Sequence, residues 1–285
     1  MRFIDQTLAR RLEMTDAYSG VEFARAHARM NADSIATAES FAGGWAIFAG
    51  PDSPLTQAFA LGLDGPVGED EIERMEDFFH SRGAAADVEL CPYADPSIVQ
   101  IFKDRNYTLL EFSNVLVRKL TPDDMHIDSN SEVVIRRPEP HEIRLLAETV
   151  GRGFFETGDL PPMMIDMFDT FFNSSAGAAF LAEVDGTAAG GGVVIMHEGI
   201  ASLGGASTLP EFRNRGIQTA LLRARLAFAV SAGCEIAMVT TMPGTISQRN
   251  VERQEFRVVY TRTKIQKQSS EVRGALSQKS RLYQK

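Results

Sequence analysis

One order of secondary-structure signals occurs twice in this chain, and that repetition constrains the fold more than any single motif. Residues 68–118 read helix, strand, helix, strand, and residues 217–266 read the same way. In the first stretch a helix over 69–82 places Ile72, Met75, Phe78 and Phe79 on one face. A strand follows over 86–90. Ala94-Asp95-Pro96 then starts a helix over 97–103, and a strand covers 108–118. In the second stretch the matching elements are 217–232, 236–241, 247–254 and 258–266. Even the turn before the last strand repeats, as Lys103-Asp104-Arg105-Asn106-Tyr107 and as Arg253-Gln254-Glu255-Phe256. A length of 285 residues suits two domains at roughly 150 residues each.

The remaining elements complete two α/β units. The first half opens with helix-like text over 6–30 and strand-like runs at 45–49 and 57–63. Residues 121–131 are polar, with Pro122 and Asn130, and read as a linker. The second half begins with a strand at 133–136 and helices near 143–150 and 163–172. Three strands follow, 178–184, 188–196 and 200–208, joined at Asp185-Gly186 and His197-Glu198-Gly199. This order predicts a mixed, mostly antiparallel sheet with helices on both faces. The expected domains are 1–120 and 132–268, with a polar, basic tail at 269–285.

Charge separates the halves. The 29 Lys/Arg and 38 Asp/Glu give a net −9, but residues 1–130 hold 11 of the bases and 22 of the acids, leaving +2 for the rest. An acidic chain is a poor partner for nucleic acid, whose phosphates must be met by Lys and Arg. Cys91 and Cys234 lie far apart without a Cys/His cluster. They read as buried hydrophobes, with no disulfide framework and no metal. The N-terminal residues lack the apolar stretch of a signal peptide, and no apolar run approaches about 18 residues. The expectation is a cytoplasmic protein, monomer or homodimer, that engages no membrane.

The chemistry gathers in residues 208–222. A strand ends at Thr208, the chain turns through Arg213-Asn214-Arg215-Gly216, and an apolar-faced helix starts at Ile217. Glycine lets the main chain approach a ligand closely. The first N–H groups of a helix lack internal partners and lie at its positive end, which favours phosphate. Arg213 and Arg215 add charge, and Thr219 adds a hydroxyl. The stretch is neither a Walker loop nor a GxGxxG fingerprint. A plain strand–turn–helix with surface arginines would also read this way.

Pro210-Glu211-Phe212-Arg213-Asn214-Arg215-Gly216-Ile217 resembles the (Q/R)xxGx(G/A) signature of the GNAT superfamily of acyl-CoA-dependent N-acyltransferases. The resemblance covers about 130–268. It implies two GNAT-like α/β domains in tandem, the first a degenerate copy without a cofactor loop. There Leu63-Asp64-Gly65-Pro66-Val67-Gly68-Glu69-Asp70-Glu71 replaces the phosphate loop, and its acids would repel pyrophosphate. The resemblance implies that Arg213, Asn214, Arg215, Gly216, Ile217, Gln218 and Thr219 cradle the pyrophosphate of acetyl-CoA, a co-substrate. It also implies that strand 203–208 meets pantetheine where it splays from strand 236–241. Main-chain N–H groups of Ala206, Ser207 and Thr208 would then polarise the thioester carbonyl.

Two positions depart from the family pattern. Gln218 stands where Gly or Ala is expected, so its side chain must turn away from the phosphates or contact them. Ser247–Phe256 resembles the family's penultimate helix and "GF" turn, with Glu255 in place of Gly. Asn250 is a candidate contact to CoA. The position of the usual Tyr general acid holds Val251, which cannot donate a proton; Ser247 and Tyr260 are the nearest substitutes. The acceptor, a small-molecule amine, would meet the segment after the first helix, where Phe155 and Glu156 are the candidate contacts. The expected reaction is direct attack of the amine on the thioester. A reading of another class, favoured by Val251, Gln218 and Glu255, is a catalytically inactive acyl-CoA-binding or scaffolding protein.

Overall fold

A computed structural model describes residues 4–126, 132–155 and 160–267. The linker segment 127–131, Glu156 and the tail at 269–285 lie outside the described residues. By contact density the chain divides into two compact units, residues 1–116 with 240–285, and residues 117–239.

The first unit opens with α1 (Gln6–Met30), whose N-terminus is capped by the Asp5 carboxylate accepting from the Leu8 N–H. The strands β1 (Thr37–Phe41) and β2 (Gly44–Phe48) form a hairpin through Ala42 and Gly43, both at positive φ. The strand β3 (Gln57–Phe59), α2 (Glu69–His80), β4 (Ala86–Leu90), α3 (Pro96–Asp104) and β5 (Tyr107–Lys119) follow. The strand β1 has no counterpart among the strands expected from the sequence. Its Thr-Ala-Glu-Ser-Phe text is half exposed and carries no alternation that would mark a strand.

The first unit's sheet takes a strand from the far end of the chain. The order is β1-β2-β3-β4-β11-β5, with β11 (Arg257–Lys267) antiparallel to β4 through Ile265↔Val88. Phe48, Ile72, Met75, Phe79, Ile98 and Phe102 form one continuous apolar core with Val88 and Ile265. The helix α1 meets the sheet at Gly20, where a Cβ would lie 2.7 Å from Ile47. The short α7 (Ile246–Glu252), capped by Thr245, also belongs to this unit by contact. The units thus divide the chain differently from the boundary read at 121–131, because pairing with β4 draws β11 to the first unit.

The second unit contains β6 (Val133–Arg136), α4 (Ile143–Phe154), α5 (Pro162–Phe172), β7 (Gly177–Val184), β8 (Thr187–His197), β9 (Ile200–Thr208), α6 (Ile217–Ser231) and β10 (Ile236–Thr241). The order β10-β9-β8-β7-β6 is antiparallel except for the parallel pair β9 and β10. Asp185-Gly186 and Glu198-Gly199 make the two tight turns, each pair at positive φ. The Gly190-Gly191-Gly192 run in β8 has a packing reason. A Cβ on Gly191 would lie 2.1 Å from Leu146 of α4, and one on Gly192 would lie 3.0 Å from Arg225 of α6. Successive residues of a strand face opposite sides, so α4 and α6 cover opposite faces of this sheet.

Candidate functional site

Two irregularities in β9 open its main chain. The register with β8 slips by one residue: Gly191 faces Ser207, whereas Val193 faces Gly204. Gly205 and Ala206 therefore share the single partner position of Gly192, a β-bulge, with Gly205 at φ +53. On the other edge, the parallel pairing with β10 stops at Ser202↔Met238. From Leu203 onward β9 has no partner position in β10 among the described residues, so β10 does not take up that edge of its main chain.

The loop after β9 ends in two left-handed residues, Asn214 at φ +62 and Gly216 at φ +79. Gly216 is the N-cap of α6, and no side chain caps that helix. The Arg213 N–H bonds the Pro210 carbonyl, and the Ala220 N–H bonds the Gly216 carbonyl. Between them, the amides of Asn214 to Thr219 have no main-chain partner among the described residues. Ile217 is buried and anchors the start of α6, while Arg213, Asn214, Arg215 and Gly216 are exposed. This exposed row of N–H groups at the positive end of a 15-residue helix suits an anion.

The side chains around this loop are tied down locally. The Gln218 amide donates to the Thr208 hydroxyl at 2.9 Å, so it turns back onto the end of β9. Ser207 donates to the Val150 carbonyl at 2.7 Å, beside Gly153, whose absent Cβ would lie 2.3 Å from that hydroxyl. Arg213 donates to the Gly153 carbonyl at 3.2 Å, at the negative end of α4. Arg215 lies 3.7 Å from Glu132. Phe155 is the half-buried C-cap of α4.

An aromatic wall stands beside the bulge. Phe171 and Phe172 of α5 lie within 3.9 Å of where Cβ atoms on Gly204 and Gly205 would be, and the Phe154, Phe168 and Phe172 rings stack in sequence. Sequence reasoning placed the apolar acceptor contact at Phe155 and passed over this wall. Its signal is the Phe168, Phe171, Phe172 spacing on one helical face. Arg225 was also missed. It sits four residues after Leu221 on the buried stripe of α6, where an apolar residue would be expected.

These features coincide with a family match. Residues 147–256 match the acetyltransferase (GNAT) family. The chain carries a GNAT domain. Its fold is similar to a GCN5-related N-acetyltransferase from Kribbella flavida, at 15% identity over 89% of this chain and 97% of that one, with a TM-score of 0.62. It is similar to another from Sphaerobacter thermophilus, at 15% identity over 74% and 71%, TM-score 0.56. A tandem GNAT protein from the clavulanic acid biosynthesis pathway matches at 12% identity over 80% of each chain, TM-score 0.54. No curated protein matches the sequence. The α/β mixed-sheet class of the GNAT proteins is the fold of this chain.

The other predicted residues fall in the first unit. Ser247 is exposed on α7, Asn250 is half-buried, and Val251 is buried. Tyr260 is held in the interior: its hydroxyl donates to Glu13 at 2.6 Å, and burial pushes its phenol far above the ordinary range. Arg262 donates to the same Glu13 oxygen at 2.8 Å. A phenol held in this way does not serve as a proton donor to substrate. Among the described residues no helix is long and apolar enough to cross a membrane, and no group of three or more His, Cys, Asp or Glu could hold a metal ion. Cys91 and Cys234 are free thiols in the interior; burial pushes Cys91 up to about 12.

Proposed function

We propose that this protein is an N-acetyltransferase that transfers the acetyl group of acetyl-CoA to the amine of a small molecule by direct attack. The observation that carries the proposal is the second half of β9, unpartnered by β10 and bulged against β8, running into an uncapped helix N-terminus. The amides of Asn214 to Thr219 bind the pyrophosphate, with Arg215 adding charge. Pantetheine lies along Leu203–Thr208, and the N–H groups at the bulge polarise the thioester carbonyl. Phe171 and Phe172 face the acyl end and favour an acceptor with an apolar body.

The amine must lose a proton before or during attack, since an alkyl amine titrates near 10. The departing thiolate must gain one. Val251 cannot supply it, and Tyr260 is engaged with Glu13. Ser247 is the donor that the sequence suggests, and bulk water is the alternative source. Residues 1–120 serve as a degenerate copy without a cofactor. A purely acyl-CoA-binding role rests on the buried hydrocarbon at position 251.

The test is calorimetric titration with acetyl-CoA, followed by thiol release with a panel of amines. Micromolar binding and amine-stimulated thiol release support transfer. Binding without release under any amine favours the non-catalytic role, and absence of binding overturns both.

A further inference from the structure

Arg225 is a charged side chain in a place built for an apolar one. It is 4% exposed, and no carboxylate pairs with it among the described residues. Three main-chain carbonyls hold its guanidinium. Nε donates to Leu221 of its own helix at 3.0 Å, and one terminal nitrogen reaches Val193 at 3.3 Å and Gly204 at 3.4 Å. Gly204 and Val193 are the paired positions at the edge of the β9 bulge. Gly192, opposite the bulge, leaves the necessary room, since a Cβ there would lie 3.0 Å from both the guanidinium and the Ala206 methyl.

Burying an arginine without a counter-charge is costly, and burial lowers its pKa to about 10. At neutral pH it remains charged. A side chain serving packing alone would be better replaced by Leu or Met, as at Leu221 and Leu222 on the same stripe. The direction of the carbonyls shows what the charge acts on. No peptide bond here is cis, so the N–H of each peptide points opposite to its C=O. With the Gly204 carbonyl drawn toward Arg225, the Gly205 N–H is turned away from α6. A cation on the carbonyl side of a peptide also strengthens its N–H as a donor.

We propose that Arg225 is a positioning residue for acyl transfer: its buried guanidinium clamps the Val193 and Gly204 carbonyls, fixes the β9 bulge, and aims the bulge N–H groups at the acyl carbonyl. This rests on the acetyltransferase reading above. The residue touches neither substrate; it acts through the main chain of Gly204, Gly205 and Ala206.

Arg225→Met, Arg225→Gln and Arg225→Lys separate charge, hydrogen bonding and shape. Two readouts are taken on each variant. The first is the amide proton shift of Gly205 and Ala206 in the ligand-free protein, which does not depend on any activity. The second is the infrared carbonyl stretch of bound, carbonyl-labelled acetyl-CoA, together with kcat and KM. In Arg225→Met we expect the two amides to move upfield while other β9 amides stay in place. The bound carbonyl stretch returns toward its solution value, and kcat falls about 100-fold, the scale of a misplaced catalytic group. KM for acetyl-CoA stays within about threefold, because the pyrophosphate loop is untouched. Arg225→Lys restores the amide shifts and most of kcat, and Arg225→Gln does so only in part. If Arg225→Met fails to fold, the comparison of Gln with Lys carries the same test. Unchanged bulge amides, or equal kcat in Gln and Lys, overturn the proposal. Amide shifts that move as expected in a protein that binds no acetyl-CoA leave the clamp standing and overturn its catalytic purpose, together with the acetyltransferase reading.

Discussion

The loop before α2 and the loop before α6 occupy the same place in the repeated element order, yet their electrostatics are opposite. Gly68 caps α2 at an ordinary φ of −85, and Glu69, Asp70 and Glu71 fill the first turn with negative charge. Glu71 accepts from the Ala42 N–H, the Ser97 hydroxyl accepts from the Val67 N–H, and Asp64 pairs with Arg10. These bonds fix the loop and place Glu71, but no side chain caps α2; its start differs in carrying three carboxylates of its own. At α6 the cap is left-handed, the first turn holds no acid, and a row of amides stays open. The same backbone order therefore gives one helix start that repels an anion and one that suits it, and side-chain carboxylates make the difference.

The largest expected effect comes from reversing charge at each loop. Arg215→Glu should weaken acetyl-CoA binding by at least about 100-fold, since it converts an attraction of a few kcal/mol at the pyrophosphate into repulsion. Reversal at Glu69 should leave binding unchanged. Calorimetry on both variants decides the matter, and equal losses would sink the one-site model.

Backbone shape gives the next contrast. Gly216 sits at φ +79, where a Cβ costs about 1 kcal/mol. Gly216→Ala should lower stability by that amount and Tm by about 2–4 °C. Gly68→Ala introduces no left-handed strain; the added Cβ meets only the end of the Asp70 side chain. Chemical denaturation of the two variants should separate them, and equal losses would show that the left-handed cap is not what distinguishes the loops.

Much of this was legible in the sequence. Helix and strand periodicity, X-Gly turns and the arginine-glycine loop are local signals, and local geometry obeys them. The turn before the last strand illustrates the point. Asn106 and Glu255, matched in the repeat, adopt the same left-handed conformation, at φ +59 and +66. What stayed hidden depends on long-range pairing. The drawing of β11 to β4 follows from strand order, which no local window encodes. The bulge at Gly205 is set by register with β8. Arg225 stands out on the apolar stripe of α6, but the carbonyls it holds come from distant strands, and the Tyr260 hydroxyl is tied up by Glu13, far away in sequence.

The paired left-handed turns give a smaller prediction. Asn tolerates this conformation, and Glu pays more strain in it. Glu255→Gly should stabilise the protein by about 0.5–1 kcal/mol, and Asn106→Gly by less. Thermal unfolding of both compares the copies directly. A loss at Glu255→Gly would mean that the carboxylate's own contacts outweigh the strain.

The smallest effect belongs to Asp64, an acid of the first loop. The hydrogen bond from Arg10 holds the Asp64 carboxyl below its usual range, and the side chains are 39% and 49% exposed. A lowered folded-state pKa means that the pair's stabilisation is present above the unfolded value near 3.9 and is lost as pH falls through the folded value. Solvent screening keeps it well under about 1 kcal/mol. Arg10→Gln should let the Asp64 carboxyl titrate at a higher pH, as followed by its carboxyl carbon resonance, while acetyl-CoA affinity at neutral pH stays fixed. A change in affinity would mean that the acidic loop and the arginine loop are coupled, and the contrast drawn between them would have to be rebuilt on that coupling.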